Sequence, residues 1–492
     1  MAEKHPIQHV REPEKRVPVL FEADVVVAGA GVAGIFAAIA AARKGARTVL
    51  VDRFGSVGGN IGPGMINNGH MVSGRPHPSL GFECTVYPGL YGIGKEFLNR
   101  YACLGGRSIP PYSGPNYPND SHVASYAAQM MLEESGVQLL LSTQVADPIM
   151  DGTTVEGLFV ENRSGRQAIP ARVVIDATGE ADVARRAGAP ILLPKDEYHE
   201  LDGHAPTGLG GYFLLGGIDW ARHEAHARAA EVDEADVAWV CQRYGEAVAT
   251  RHRYTAPFLR QELEKSGYEV VREIDLGLGP LKIRADSIAP LGETGCAQGR
   301  VAPERLNRVD AGDGLHMSKL EAACRRQIFE TVQFWRTYVP GFEDCSLLCV
   351  APFLGARGGP SIEGEYVLTM DDCREGRRFD DVIYLYGEFR ALRWTAERGN
   401  AKWVDVPYRV LLPKRIDGLM AAGRCASGIP DTLLRNRMAA KVMGEASGTA
   451  AALSAAEGIA PKQLDPGQLQ DALLDAGFYL GDRYRLKELG LV

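Results

Sequence analysis

Residues 24–52 read DVVVAGAGVAGIFAAIAAARKGARTVLVD, and this stretch decides the fold. The β-branched run Asp24–Ala28 predicts a buried strand. The residues that follow the glycines are strong helix formers and predict a helix that Gly45 ends. Thr48–Val51 predicts a second buried strand, which ends on Asp52. The stretch therefore predicts one complete strand–helix–strand unit of about 30 residues.

The glycines between the first strand and the helix have the spacing GxGxxG. Gly29 permits a tight turn, Gly31 lets a diphosphate approach the backbone, and Gly34 lets the helix pack on the strand. The amides at the start of the helix then favour an anion. Asp52 is placed to accept hydrogen bonds from an adenosine ribose, and its charge disfavours a 2′-phosphate. This combination predicts a dinucleotide site.

Three further segments resemble the glutathione-reductase-like flavoproteins. The first is the pair Gly58-Gly59 shortly after the ribose-binding acid, which resembles the extended FAD signature of that group. The second is VVIDATG (173–179), which resembles the element near the adenine and diphosphate. The third is GLMAAGR (418–424), which resembles the strand and turn beside the ribityl chain, although Gly423-Arg424 stands where Gly-Asp is common. The resemblance implies FAD as the cofactor.

Later blocks of the chain resemble the broad FAD-dependent oxidoreductase family, which also contains the flavin-binding part of heterodisulfide reductase. They include YVPGFEDC (338–345), VPYRVLLPK (406–414) and GEASGTAAAL (444–453), and the likeness extends over about residues 22–457. The cofactor-binding residues expected on this basis and from the glycine-rich turn are Gly29, Ala30, Gly31, Val32, Ala33, Gly34, Asp52, Arg53, Gly58, Gly59, Asn60, Val145, Ala177, Thr178, Gly179, Gly423, Arg424, Arg437 and Met438.

The order of the segments predicts an interrupted domain. We expect an α/β, Rossmann-like FAD-binding domain with an inserted α+β substrate or cap domain. The predicted bounds are an N-terminal tail at 1–19, the flavin domain at 20–190 and 405–460, the inserted domain at 191–404, and a C-terminal extension at 461–492.

Three residues are candidates for catalysis. Arg357 follows an apolar segment in a glycine-rich turn, and its planar fork suits a carboxylate or an enolate, with a structural ion pair as the alternative. His70 follows the Gly58-Gly59 loop and has the pKa of a general base, with an ordinary loop histidine as the alternative. Arg437, at the start of a helix, could supply positive charge near the flavin. The family's acidic and double-arginine run after LGAR is missing from Gly358–Ser361, so we expect a different substrate.

Composition excludes several classes of protein. With 45% hydrophobic and 24% charged residues, a net charge of −8 and no dense basic stretch, we expect no nucleic-acid partner. No apolar run reaches about 20 residues and no signal peptide is recognisable, so we expect no membrane span and a cytoplasmic location. The nine scattered cysteines contain no CxxC pair, and the histidines lack ligand-like spacing, so no metal site is expected.

The sequence thus predicts an enzyme, an FAD-dependent dehydrogenase or oxidase. It would oxidise or reduce a small organic substrate by hydride transfer at flavin N5 and exchange electrons with oxygen or an external carrier. One alternative is a flavin-dependent monooxygenase that uses external NAD(P)H, because the chain shows no second dinucleotide domain. The other is a flavoprotein with a structural or sensor FAD. The oligomeric state is left open.

Overall fold

Residues 24–52 form the predicted unit, with strand β1 (Ala23–Ala28), helix α1 (Val32–Arg43) and strand β2 (Thr48–Val51). The two strands are parallel, and Val25 pairs with Thr48. The computed structural model describes residues 10–66, 92–106, 121–193, 209–229, 233–244, 260–277, 279–290, 295–303, 311–356, 358–386, 404–429, 433–434 and 437–492.

The other described helices and strands follow in chain order. The helices are α2 (Gly92–Cys103), α3 (Ser121–Glu134), α4 (Asp182–Arg186), α5 (Trp220–Ala229), α6 (Glu234–Tyr244), α7 (Arg260–Ser266), α8 (Gly314–Tyr338), α9 (Met370–Glu375), α10 (Arg437–Glu457), α11 (Pro466–Asp475) and α12 (Arg483–Glu488). The strands are β3 (Gln138–Leu140), β4 (Gln144–Asp151), β5 (Thr154–Asn162), β6 (Gly165–Asp176), β7 (Ile191–Leu192), β8 (Gly211–Gly216), β9 (Val271–Asp275), β10 (Pro280–Pro290), β11 (Ala297–Pro303), β12 (Ser346–Val350), β13 (Ser361–Ile362), β14 (Leu368–Thr369), β15 (Val382–Tyr386), β16 (Val404–Pro407), β17 (Leu419–Ala421) and β18 (Gly428–Ile429).

The first sheet has seven strands in the order β3-β2-β1-β6-β5-β4, and β17 pairs with β6 as well. Strands β3, β2, β1, β6 and β17 are parallel to their neighbours, whereas β4, β5 and the first half of β6 form antiparallel pairs. The sequence pattern predicts a hairpin of Val155–Glu161 with Gln167–Ala171 and a separate buried strand at Val173–Asp176, but β6 is one continuous strand. Its first half pairs with β5 and its second half with β1, so one strand serves both parts of the sheet.

The core of this unit lies between the first sheet and helices α1 and α10. The two helices approach closely because Gly444 and Gly448 face α1. A Cβ atom at Gly444 would lie 2.2 Å from the carbonyl oxygen of Ala33, and one at Gly448 would lie 2.1 Å from that of Ala37. Only glycine allows this distance between the helices. The contact holds the middle of α10 against the first half of α1.

A second, antiparallel sheet has five strands in the order β12-β8-β11-β10-β9. Helix α8 covers one face, where Leu320, Cys324 and Ile328 join a separate apolar core with Phe213 and Val301. This sheet and its helices agree with the predicted α+β unit, so the fold class is confirmed. The predicted domain bounds stay a prediction.

The two units meet at the segment that follows the Gly58-Gly59 turn. Gln298 of β11 donates through Nε2 to the carbonyl oxygen of Met65 at 2.6 Å. Asn60 Nδ2 lies 3.4 Å from the carbonyl oxygen of Ala356. These contacts place the glycine-rich turn of one unit directly beside the second sheet, and a deep cleft lies along the junction.

Candidate functional site

The three glycines of the GxGxxG turn differ in what surrounds them. Gly29 has φ +98°, and a Cβ atom there would lie 2.6 Å from the carbonyl oxygen of Ala177. A Cβ at Gly34 would lie 1.8 Å from the carbonyl oxygen of Gly29. Gly31, at the N-terminus of α1, has an ordinary φ of −75°, and the nearest atom to its missing Cβ is 3.9 Å away. The protein backbone therefore excludes side chains at Gly29 and Gly34, whereas Gly31 opens into the cleft.

The cleft has a volume of about 1140 Å³. That is at or above the upper end of the range for pockets that hold one drug-sized molecule. Most of the predicted cofactor-binding residues line it, namely Gly29, Gly31, Val32, Ala33, Asp52, Arg53, Gly59, Asn60, Val145, Ala177, Thr178, Gly179, Gly423, Arg424 and Arg437. Residues from separate parts of the chain thus converge on one cleft that is larger than most pockets for a drug-sized molecule.

The remaining predicted residues, Ala30, Gly34, Gly58 and Met438, do not line the cleft. Ala30 and Gly58 are bonded to each other, and Ala30 is also bonded to a residue that lines the cleft. The amide of Ala30 donates to Asp52, and its carbonyl oxygen accepts from the amide of Gly58 at 2.8 Å. Met438 is buried in α10. The sequence pattern does not distinguish residues that face the cleft from those that shape it.

Asp52 is held at the end of β2 by two backbone amides. Its Oδ2 accepts from Ala30 N at 2.6 Å, and its Oδ1 accepts from Phe54 N at 2.8 Å. Burial raises the pKa of the carboxyl group, while the two amide hydrogen bonds lower it. The side chain is therefore fixed in orientation where it borders the cleft.

An aromatic pair beside Asp52 was not predicted from the sequence. The rings of Phe54 and Phe353 stack with their centroids 4.7 Å apart, and the guanidinium of Arg53 lies 4.9 Å from the centroid of Phe54. All three residues line the cleft. Helix α8 borders the same region with Ser318 and Arg325. Only the tertiary fold brings these elements together, and no local sequence signal indicates the contact.

Arg424 forms an ion pair with Glu180, a second residue that sequence reasoning missed. Its Nη1 donates to Glu180 Oε2 at 3.0 Å, and its Nη2 donates to Oε1 at 2.5 Å. The same Nη1 also donates to the carbonyl oxygen of Gly358 at 2.7 Å. Burial raises the pKa of Glu180, and the guanidinium opposes that effect. A carboxylate thus borders this turn although Gly423 is followed by arginine.

Of the three catalytic candidates, Arg437 lies within the described residues, whereas Arg357 and His70 lie outside them. Arg437 begins α10, lines the cleft, and donates through Nη2 to the carbonyl oxygen of Ile66 at 3.0 Å. Burial lowers the pKa of its guanidinium to about 10, so it stays protonated at neutral pH. Tyr212 of β8, which is 8% exposed, lines the same cleft.

Helix α10 carries two more buried ionisable groups, Lys441 and Glu445, on the turns that follow Arg437. The ammonium group of Lys441 lies 5.7 Å and 5.3 Å from the ring centroids of Phe36 and Phe97. Burial lowers the pKa of Lys441 to about 7. Glu445, 4% exposed, accepts from the amide of Ile93 at the start of α2 at 3.3 Å, and burial raises its pKa to about 7.

Replacing Glu445 by Gln should change how stability depends on pH. Because the folded-state pKa is raised, the contribution of Glu445 is fully present below about 4.5 and is lost as the pH rises through about 7. Gln keeps an acceptor for Ile93 and does not titrate. Between pH 4.5 and pH 8, the free energy of unfolding of E445Q should therefore rise by about 3 kcal/mol relative to that of the native protein. Urea unfolding at several pH values measures this difference. Lys441 titrates in both proteins, so parallel stability curves would contradict this assignment.

The strand–helix–strand unit with its glycine-rich turn, and the cleft in front of that turn, define a dinucleotide-binding α/β protein. The chain matches the family described as FAD dependent oxidoreductase over residues 24–473. It therefore belongs to that family, and its cofactor is FAD. The resemblance inferred from the sequence is confirmed.

Individual relatives are more distant. The chain is 34% identical over 170 residues to the thiamine thiazole synthase of Pyrobaculum neutrophilum, a match that covers 32% of this chain and 57% of that protein. It is 31% identical over 159 residues to the tRNA uridine 5-carboxymethylaminomethyl modification enzyme of Pelobacter propionicus, covering 32% and 24% of the two chains. Among solved structures, E. coli quinol fumarate reductase FrdA superposes with a TM-score of 0.41 at 16% identity, over 95% of this chain and 74% of the other.

The described residues also bear on membrane spans and metal sites. No helix among them is long and apolar enough to cross a bilayer. In the same parts of the chain, no group of three or more His, Cys, Asp or Glu side chains has the arrangement of a metal site.

Proposed function

We propose that this chain catalyses the oxidation or reduction of a small organic molecule by hydride transfer. When bound, FAD supplies a ring nitrogen, N5, that accepts or donates the hydride. The observation that carries the proposal is that one cleft is lined both by the dinucleotide-binding elements and by residues of the second unit, and the part of the cleft beside the latter is called the chamber. Asp52 and Gly31 border the first part, and Arg437, Tyr212 and Leu354 border the chamber.

The chain's own residues suit the tasks of holding the cofactor. Gly31 and the first amides of α1 would bind the diphosphate, because a helix N-terminus with no side chain in the way favours an anion. Asp52 would accept hydrogen bonds from the adenosine ribose. The turns at Gly179 and Gly423, which also border the cleft, would contact the middle of the molecule through their backbone.

The chamber suits a substrate that carries an oxygen atom beside the reacting carbon. Arg437 offers a protonated guanidinium in a partly buried position, where a charge acts more strongly than in water. Ile66, Leu354 and Ala356 add apolar surface to the same cleft. Tyr212 adds a hydroxyl group to the same wall. Arg357 as the substrate-binding cation and His70 as the base remain predictions. The electron acceptor would be oxygen or an external carrier.

The proposal is tested by mixing FAD-loaded protein anaerobically with a panel of hydroxy and carbonyl metabolites. Bleaching of the flavin band at about 450 nm by one class of compound is the expected result. Reduction by NAD(P)H alone, followed by a hydroxylated product in the presence of oxygen, would favour a monooxygenase instead. A flavin that no compound reduces or reoxidises would contradict the proposal and favour a structural FAD.

Arg437 is expected to affect the rate more than the amount of FAD bound. Arg437→Met removes the charge but keeps most of the side-chain volume, and we expect flavin reduction by the identified substrate to slow by about 10²-fold. Arg437→Lys should recover part of the rate, because the positive charge returns. Arg100→Met, which removes an arginine of α2 that pairs with Glu134 of α3, is the matched control and should leave the rate unchanged. Equal rates of flavin reduction for the native protein and Arg437→Met would contradict a catalytic role for Arg437.

A further inference from the structure

A single guanidinium joins three segments of the chain at the wall of the cleft. Arg424 lies in the 3₁₀ turn Gly423–Cys425 that follows β17. It binds both carboxylate oxygens of Glu180, in the turn after β6, and the carbonyl oxygen of Gly358, in the segment before β13. Such two-point binding of a carboxylate fixes both side chains in orientation.

Two glycines make the space for this ion pair. A Cβ atom at Gly359 would lie 2.3 Å from Arg424 Nη1 and 2.4 Å from Glu180 Oε2. Gly179 has φ +90°, and a Cβ there would lie 2.9 Å from Arg424 Nη2. The pair therefore occupies volume that any other residue at these positions would fill.

The pair is largely removed from water, yet it borders the cleft. The side chains of Arg424 and Glu180 are 14% and 17% exposed, and both line the cavity beside Gly179 and Gly423. Removing two charges from water costs about as much as their attraction returns, so such a pair is a weak source of stability. Its effect on a neighbouring anionic ligand is more direct, because each charge acts through a medium of low dielectric constant.

We infer that Glu180 is a positioning residue for the cofactor, which orients Arg424 toward the cleft and offsets its charge. FAD affinity and the reduction potential of the bound flavin then depend on the balance of the two charges. The inference rests on FAD binding in this cleft and is independent of which substrate the enzyme uses. It adds a cofactor-directed role for Glu180, which lies outside the glycine-rich turn.

The test uses Glu180→Gln, Arg424→Met and the double variant, all measured at pH 8. Glu180→Gln leaves a positive charge, so it should bind FAD about tenfold more tightly and raise the midpoint potential. Arg424→Met leaves a negative charge, so it should bind FAD about tenfold more weakly and lower the potential. The double variant is neutral and should return toward the native values. Equilibrium dialysis measures the affinity, and dye-coupled reduction measures the potential.

A purely structural pair would give a different pattern. Both single variants would then weaken FAD binding, the potential would not move in opposite directions, and the double variant would show no recovery. That result, or unchanged values in all variants, would overturn the inference. Glu180→Asp keeps the charge and should hold the native potential if Glu180→Gln fails to fold. The surface pair Arg166–Glu161, outside the cleft, supplies the matched controls Arg166→Met and Glu161→Gln, which should change neither quantity.

Discussion

Gly31→Val protein should be folded but colourless after purification. The φ of −75° at Gly31 suits any residue, and its Cβ position is clear of protein atoms to 3.9 Å, so the backbone tolerates a side chain. The added methyl groups would instead occupy the cleft in front of the first amides of α1. We expect FAD content to fall by at least about tenfold, because the diphosphate loses its close approach to the backbone. Absorbance of the denatured protein measures the bound flavin.

Gly34→Val is the informative comparison for that experiment. Its Cβ would lie 1.8 Å from the carbonyl oxygen of Gly29, so this variant should unfold at lower temperature even without FAD. Gly31→Val should match the native apoprotein in thermal unfolding and differ only in flavin content. If Gly31→Val retains a full complement of FAD, the assignment of the diphosphate to this turn is wrong.

Gly448→Val should destabilise the protein more than the substitutions that face the cleft. A Cβ atom at this position would lie 2.1 Å from the backbone carbonyl of Ala37, and neither helix can move without disturbing the sheet beneath it. Overpacking of a well-packed core typically costs about 1–3 kcal/mol and occasionally more. The expected result is a large fall in the urea midpoint of the apoprotein or a failure to accumulate in soluble form.

Gly314→Ala provides the control for this effect. Gly314 begins α8, and no atom lies within 4 Å of its Cβ position. Its replacement should change stability by no more than about 0.5 kcal/mol. If Gly448→Val has the same free energy of unfolding as the native protein, α1 and α10 are not in direct backbone contact at Gly448.

The sequence is sufficient to predict the elements that local chemistry determines. The strand–helix–strand unit, α10 and the α/β class all follow from periodicity and from the spacing of Gly29, Gly31 and Gly34. The hairpin of β5 and β6 is predicted as well, but the length of β6 is not. The sequence pattern breaks at Arg172, close to the point where β6 changes its partner from β5 to β1. Each half of β6 meets a different environment, and a local pattern records that change as a boundary.

The side-chain partners within the cleft are not predictable in the same way. An arginine such as Arg424 pairs with whichever carboxylate the fold brings near, and Glu180 is remote from it in sequence. Tyr212 reaches the cleft from the second sheet, and Phe353 reaches it from the segment after β12. No local sequence signal indicates where these two segments lie relative to the flavin domain. The glycines at 358 and 359 are a sequence feature that indicates a close contact, but they do not indicate which residue makes it.

The pairing of β17 with β6 has a consequence for how the chain is synthesised. Leu419 pairs with Val174, although the whole second sheet lies between them in the chain. A ribosome that adds about 5–20 residues per second would expose the edge of β6 and the glycine-facing side of α1 well before β17 and α10 emerge. Such a late closing strand slows folding and leaves an unpaired edge open to association with other chains. The nascent protein should therefore depend on chaperones most strongly during translation of its middle third.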